Sequence, residues 1–259
     1  MQEAWQSLAH PDARFGTAAE IRTTVAPGSR VCPPGWCGIL TIAGRTLATA
    51  PDRDQARALD DALRNVVTDQ HTDPTSLREH LTVADVLGPA HLAYLPNGAV
   101  LRAVPSGDDR VDVLTTAAPS VAALLVQCPP DDVAESGMDE ITSPAFLLTR
   151  GGQPLAVAGY RLWPNHIAHL SVLTLPGSRG AGLARVVAAA ASDHARRAGL
   201  LCQWRARPAA SLGVAEAIGY RVLGRQVSLQ LARWHRATRS REVGPSVRRW
   251  LPAATSEAQ

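Results

Sequence analysis

Residues 166–190 read HIAHLSVLTLPGSRGAGLARVVAAA, and three instructions follow one another in them. The apolar run Ile167–Leu175 has the length and content of a buried strand. Pro176 ends it, and Arg179-Gly180-Ala181-Gly182-Leu183-Ala184 makes a glycine-bearing turn. From Leu183 onward the alanine-rich segment favours a helix, which Gly199 stops after Ala198. A strand that empties through such a turn into a helix start is a place for an anion. The first helical N–H groups lack partners inside the helix, and the helix dipole adds positive charge at that end. Gly180 and Gly182 keep side chains away from the backbone there, and Arg179 contributes a guanidinium.

The turn is not a P-loop, since no Gly-Lys-Ser/Thr follows, and it is not the dinucleotide fingerprint GxGxxG. Its neighbours decide what kind of anion site it is. Upstream, Ala145–Thr149, Leu155–Leu162 and Ile167–Leu175 are joined by the turns Arg150-Gly151-Gly152 and Pro164-Asn165, a pattern that predicts an antiparallel meander. Before the meander, Ala118–Gln127 and Asp131–Ser136 read as helices. After the long helix come a strand at Leu200–Arg205, a helix at Ala210–Ile218 and a strand at Tyr220–Ala232.

Arg179, Gly182 and Ala184 fill the pattern Arg/Gln-x-x-Gly-x-Gly/Ala, and Thr174-Leu175-Pro176 stands where a Val-x-Pro-like strand exit is usual. In these residues, and in the order α, α, β, β, β, α, β, α, β over about residues 111–232, the chain resembles the GNAT superfamily of acetyl-CoA-dependent N-acetyltransferases. Trp204, Ser211, Val214, Ala215 and Ile218-Gly219-Tyr220 resemble that family's closing pattern. The chain as a whole resembles bacterial members of the antibiotic self-protection or resistance type, the kasugamycin 2'-N-acetyltransferases among them.

The resemblance implies an α/β (α+β) GNAT fold: a mixed, mostly antiparallel central sheet flanked by helices, with a smaller N-terminal α/β domain. It implies direct attack by a primary amine on acetyl-CoA in a ternary complex. The acceptor would be a small cationic molecule such as an aminoglycoside; a protein N-terminus, a polyamine or a non-catalytic coenzyme-binding role are the alternatives. Coenzyme contacts are expected from Val172, Leu173 and Thr174 through backbone N–H groups, from Arg179 to Ala184 at the phosphates, and from Ser211. His166, His169 and Glu135 are candidates for taking the amine proton, because His and Glu can hold a proton near neutral pH. Strand alternation favours His166 and closeness to the reacting carbon favours His169, so both stay open. Glu135, Asp139 and Glu140 are candidates for binding a cationic acceptor. The tyrosine that many members use to protonate the leaving thiolate is replaced by Ala215, so either Ser211 or a water takes that role or the coenzyme leaves as a thiolate.

The first hundred residues show no chemistry of their own. A short helix at Ala18–Thr24, two strands within Trp36–Ala50, a helix over Asp54–Val67 and another over Ser76–Val86 are expected, then strands at His91–Leu95 and Val100–Val104. The polar stretch Pro105–Arg110 suggests domains at 1–110 and 111–235, followed by an Arg-rich tail at 236–259. The composition, 46% apolar and 19% charged, is that of a soluble globular protein. The N-terminus lacks a signal-peptide pattern and no apolar run suits a membrane span, so a cytoplasmic protein is expected, as a monomer or homodimer. Cys32 and Cys37 lack a second pair for zinc, and no metal is expected. The net charge of +3 is concentrated after residue 231, in six arginines too dispersed for a nucleic-acid patch. The chain contains no lysine, so no lysine serves as nucleophile or base.

Overall fold

The computed structural model describes residues 1–17, 20–101, 103 and 107–232. The expected tail at 236–259 lies outside them. The chain divides into two compact units, the first made of residues 1–90 and 224–259 and the second of residues 91–223. The sequence had suggested boundaries at 110/111 and 235/236.

The first unit begins with helix α1 (Gln2–Ala9) and strands β1 (Thr24–Val25), β2 (Cys37–Ile42) and β3 (Arg45–Ala50). Helices α2 (Arg53–Asn65) and α3 (Pro74–Arg78) follow. Asp52 caps α2 by accepting from the Gln55 N–H at 2.9 Å, and Asp73 caps α3 through the N–H groups of Thr75 and Ser76. Ala56, Leu59, Ala62 and Leu63 of α2, spaced as one helical face, pack with Ile39, Ala48 and Leu77. Asp60 accepts from the Thr23 N–H at 2.6 Å. Among the described residues, Glu20–Thr24 is not helical; it forms a turn and the start of β1, while Ala18 and Ala19 lie outside the description.

Strand β4 spans Val83–Tyr94, where a helix tail, a stop and a short strand were expected. Gly88 and Pro89 are breakers by local preference, yet both lie inside the strand. Ala99–Leu101 is not a strand, and Arg102 and Val104 are outside the described residues.

In the second unit the chain forms β5 (Arg110–Leu114), α4 (Pro119–Val126), α5 (Pro130–Ser136) and a short 3-10 turn at Met138–Glu140. Then come β6 (Ala145–Arg150), β7 (Gln153–Trp163), β8 (Ile167–Thr174), α6 (Leu183–Arg197), β9 (Leu201–Ala206), α7 (Ala209–Ala217) and β10 (Arg221–Leu231). The strands of this unit lie in the order β4-β9-β8-β7-β6-β5. All neighbours pair antiparallel except β8 and β9, which are parallel and connected through α6. This is the mixed, mostly antiparallel sheet that the sequence predicts. β5 is an addition: of RVDVL only Arg110 lay in the stretch assigned to a domain boundary, and no element was expected at Val111–Leu114.

Alternation along the strands gives the two faces different partners. Phe146, Leu148, Ala156, Ala158, Ala168, Leu170, Cys202 and Trp204 pack with Val187, Ala188 and Ala191 of α6. Leu147, Val157 and Leu173 pack on the other face with Val121 and Leu124 of α4 and with Met138. Most of β10 belongs to the first unit, where Gly224–Leu229 pairs antiparallel with β2 and buries Val227 and Leu229 among the α2 residues. All four cysteines are buried free thiols. Among the described residues no helix is long and apolar enough to cross a membrane.

Candidate active site

Strand β8 is paired along its length with β7, from Trp163–Ile167 to Ala156–Thr174. Its parallel pairing with β9 stops after three residues, at His169–Gln203. Beyond that point β9 pairs onward with β4 and leaves β8, so a gap opens beside Leu170–Thr174. Two hydrogen bonds fix which groups face it. Leu175 N–H donates to Leu155 O on the β7 side, and Leu201 N–H donates to His166 O on the β9 side. By alternation the odd residues of β8 address β7 and the even ones address the gap. Val172 and Thr174 therefore turn their N–H groups toward it, while Leu173 directs its own at β7 and buries its side chain against Val157. The Thr174 hydroxyl is buried with no hydrogen-bond partner, an unused polar group at the same place.

β8 leads through a 3-10 turn at Pro176–Ser178 into Arg179–Gly182 and α6. Gly180 and Gly182 have φ of 81° and 80°, a region that an L side chain resists. Gly182 is the N-cap of α6 and offers no capping side chain, so the first N–H groups of a fifteen-residue helix are left to a ligand or water. Arg179 donates to Asp132 of α5 at 2.6 Å and, at 3.4 Å, to Thr174 O. A second guanidinium stands here that sequence reading passed over. Arg185 folds back over the turn, so that a Cβ on Gly182 would lie 3.1 Å from its Nη2. A cation in the first helical turn opposes the dipole, and that conflict was a readable signal for an anion. Ala181 is exposed at the tip, Leu183 is buried in the core under α6, and Ala184 is half-buried.

The face of the sheet turned toward α4 and α5 carries the acid–base candidates. His169 is 5% exposed, stacked on Trp163 with ring centroids 4.2 Å apart, and its Nδ1 lies 2.5 Å from Gln203 Oε1. Because an amide oxygen only accepts, Nδ1 carries the hydrogen. Burial above all, then the neighbouring Arg205 and Arg161, pull its pKa down to about 3 against the weaker upward pull of Gln203. So depressed a group is a poor base for an ammonium. His166 is exposed in the turn before β8, with φ of 58°, at the end of the strand opposite to the glycine turn. Glu135, at the end of α5, is gripped by both nitrogens of an Arg207 fork. Glu140 is ion-paired with the 9%-exposed Arg161, and Asp139 is exposed beside it. Glu135 and Glu140, both expected to bind a cation, thus have guanidinium partners already. Arg205 lies between these pairs, half-buried, and burial followed by repulsion from Arg207 lowers its pKa to about 10 despite Glu135 and Glu140.

The model of the GNAT acetyltransferase family matches residues 145–225. These residues run from β6 through the gap, the turn and α6 to the start of β10. Over this segment the chain is similar to GNAT acetyltransferases. Among solved structures, a GNAT-family acetyltransferase from Colwellia psychrerythraea is similar at 15% identity and a TM-score of 0.44, covering 61% of this chain and 60% of that one. A GCN5-related N-acetyltransferase-like protein from Streptococcus suis gives 19% and 0.45, covering 76% and 84%. A tandem GNAT protein from the clavulanic acid biosynthesis pathway gives 13% and 0.44, covering 88% and 93%. The chain spans 60% to 65% of the length of three such GNAT structures. No curated protein matches it. Similarity at these levels says nothing of the acceptor.

GNAT enzymes use acetyl-CoA as co-substrate, and the residues present suit its phosphates: an uncapped helix start, two glycines at positive φ and two arginines. Among the described residues no group of three or more His, Cys, Asp or Glu could hold a metal ion. On the leaving-group side, Ala215 is fully buried in the core under α7, with no room for a tyrosine. Tyr220 shares a hydrogen bond of 2.8 Å with Ser192, and burial raises its pKa well above the usual value, which makes it a packing residue. Ser211, in α7, accepts from Trp204 Nε1 at 3.0 Å and keeps its own hydrogen to donate.

Proposed function

We propose that the protein transfers the acetyl group of acetyl-CoA to a primary amine of a small molecule, by direct attack in a ternary complex. The observation that carries this reading is the gap between β8 and β9 ending at the turn with Arg179 and Arg185. In it the backbone N–H groups of Val172 and Thr174 hold the acetyl carbonyl and the coenzyme arm, where preorganised donors meet the charge that grows on the oxygen. Arg179, exchanging Asp132 for phosphate, joins Arg185 and the first N–H groups of α6 in binding the pyrophosphate. Ser211 donates to the departing sulfur. Glu135, exposed at the end of α5 in its fork with Arg207, is the proton acceptor. It relays the amine proton through water toward solvent.

The sequence resemblance suggests an aminoglycoside such as kasugamycin as acceptor. The paired state of Glu135 and Glu140 gives that finer reading no extra support, so it stands as one arm of the test. The purified protein is incubated with acetyl-CoA and a panel of amines: kasugamycin, other aminoglycosides, polyamines, amino acids and a peptide with a free N-terminus. Thiol release with at least one amine, and an acetylated product of the expected mass, are the expected results. A protein that binds coenzyme but releases thiol with none of them at any pH from 6 to 9 would refute the proposal.

A further inference from the structure

Resting on that acetyltransferase reading, we infer that Asp132 is an internal competitor of the coenzyme. Its carboxylate holds the end of Arg179 that the pyrophosphate takes, and so sets how tightly the coenzyme binds. Asp132 stands in the first turn of α5 and accepts from Arg179 Nη2 at 2.6 Å, across 47 residues of chain. The Nε of the same guanidinium leans on Thr174 O at 3.4 Å, at the exit of β8. Arg179 is thus anchored on one side at the strand exit and engaged by a carboxylate on the other.

The pair has the character of a contact that can be exchanged. Both side chains reach water, Arg179 at 51% and Asp132 at 33% exposure, and an ion pair so placed adds little to the stability of a fold. Its effect is to keep a guanidinium beside an anion seat occupied. A carboxylate on the same chain acts at an effective concentration that a stray monoanion does not match. A pyrophosphate does better, because it brings two charges and meets Arg185 and the open N–H groups of α6 in the same step. The far end of α5 is held differently. Glu135, one helical turn on from Asp132, is gripped by Arg207 just past β9. α5 is therefore fastened to both walls of the gap, and the fastening at Asp132 is the one the coenzyme must undo. Undoing it leaves the proposed proton acceptor in place.

The test is a set of dissociation constants for coenzyme A and for inorganic pyrophosphate, measured by isothermal titration at one fixed ionic strength. Asp132→Asn, which keeps the shape and removes the charge, should tighten coenzyme A about fivefold, or about 1 kcal/mol at 1.4 kcal/mol per factor of ten. A carboxylate that merely repelled phosphate from a distance would give the same gain in every background. Competition for Arg179 does not: the gain should fall below about 1.5-fold in combination with Arg179→Met and persist in combination with Arg185→Met. Far-ultraviolet dichroism like that of the wild type shows that each variant keeps its fold. Equal gains in all three backgrounds, or no gain from Asp132→Asn, overturn the inference. If pyrophosphate shows the expected pattern and coenzyme A does not bind, the exchange at Arg179 stands and the acetyltransferase reading fails. If neither binds, both fall.

Discussion

His169 lies flat against Trp163 with its Nδ1–H on Gln203, and burial holds the ring neutral. The unfolded chain regains an ordinary imidazole, so the unfolded state binds the extra proton between the ordinary pKa near 6.5 and the folded value of about 3. Stability from this group is complete above the upper value and drains away as the pH falls toward the lower one. Between pH 7 and pH 5 the loss amounts to about 2 kcal/mol. Urea unfolding at the two pH values checks it: His169→Phe should flatten the slope, and a slope equal to that of the wild type would assign it to other groups. In sequence His169 had the look of a base because it sits on the strand before an anion turn. What removes that role is Gln203, thirty-four residues away, together with Trp163, and no local pattern announces such a pairing. Arg185 is the opposite case. Its place in the first helical turn was readable and pointed to an anion, whereas its fold-back over Gly182 is a fact of three dimensions.

The unit made of β8, the glycine turn and α6 was legible because each of its parts is local: an apolar run, a proline stop, two glycines, an alanine-rich helix. Periodicity likewise gave β6, β7, β9 and α7. It gave only the end of β4, where Gly88 and Pro89 are punctuation by composition but lie inside a strand. Nor did it give the parting of β8 from β9, which depends on β9 following β4 instead. The turn itself carries a sharp expectation. Gly182→Asp places a Cβ at φ of 80° and against Arg185. The strain costs about 1 kcal/mol, and the new carboxylate captures the guanidinium groups meant for phosphate. Coenzyme A binding by equilibrium dialysis should weaken at least a hundredfold while the far-ultraviolet dichroism stays as in the wild type. Retention of affinity would remove the turn from the phosphate site.

At the scale of the molecule, sequence reading gave the last strand to the catalytic core, whereas most of β10 is bonded into the first unit against β2. The reason is in its alternation: Val227 and Leu229 complete the apolar layer under α2 that the first ninety residues leave short. Val227→Asp would bury a carboxylate among Leu59, Leu63 and their neighbours and should destabilise that unit by roughly 3–5 kcal/mol. Hydrogen exchange can localise the damage. Amides of β2 and β3 should lose protection first, with those of β6 to β8 still protected, and simultaneous loss in all five strands would show that the two units open together.

Because the first unit is made of residues 1–90 and 224–259, its chain brackets that of the second. During synthesis residues 91–223 leave the ribosome as a contiguous piece, free to collapse as soon as they emerge. The hairpin of β2 and β3 is made earlier but must wait for β10 before the other edge of Cys37–Ile42 finds its partner. For that interval a nascent chain with a finished second unit also carries an open strand edge of apolar residues. It is there, more than at the catalytic gap, that premature pairing with another chain threatens and a chaperone has most to cover.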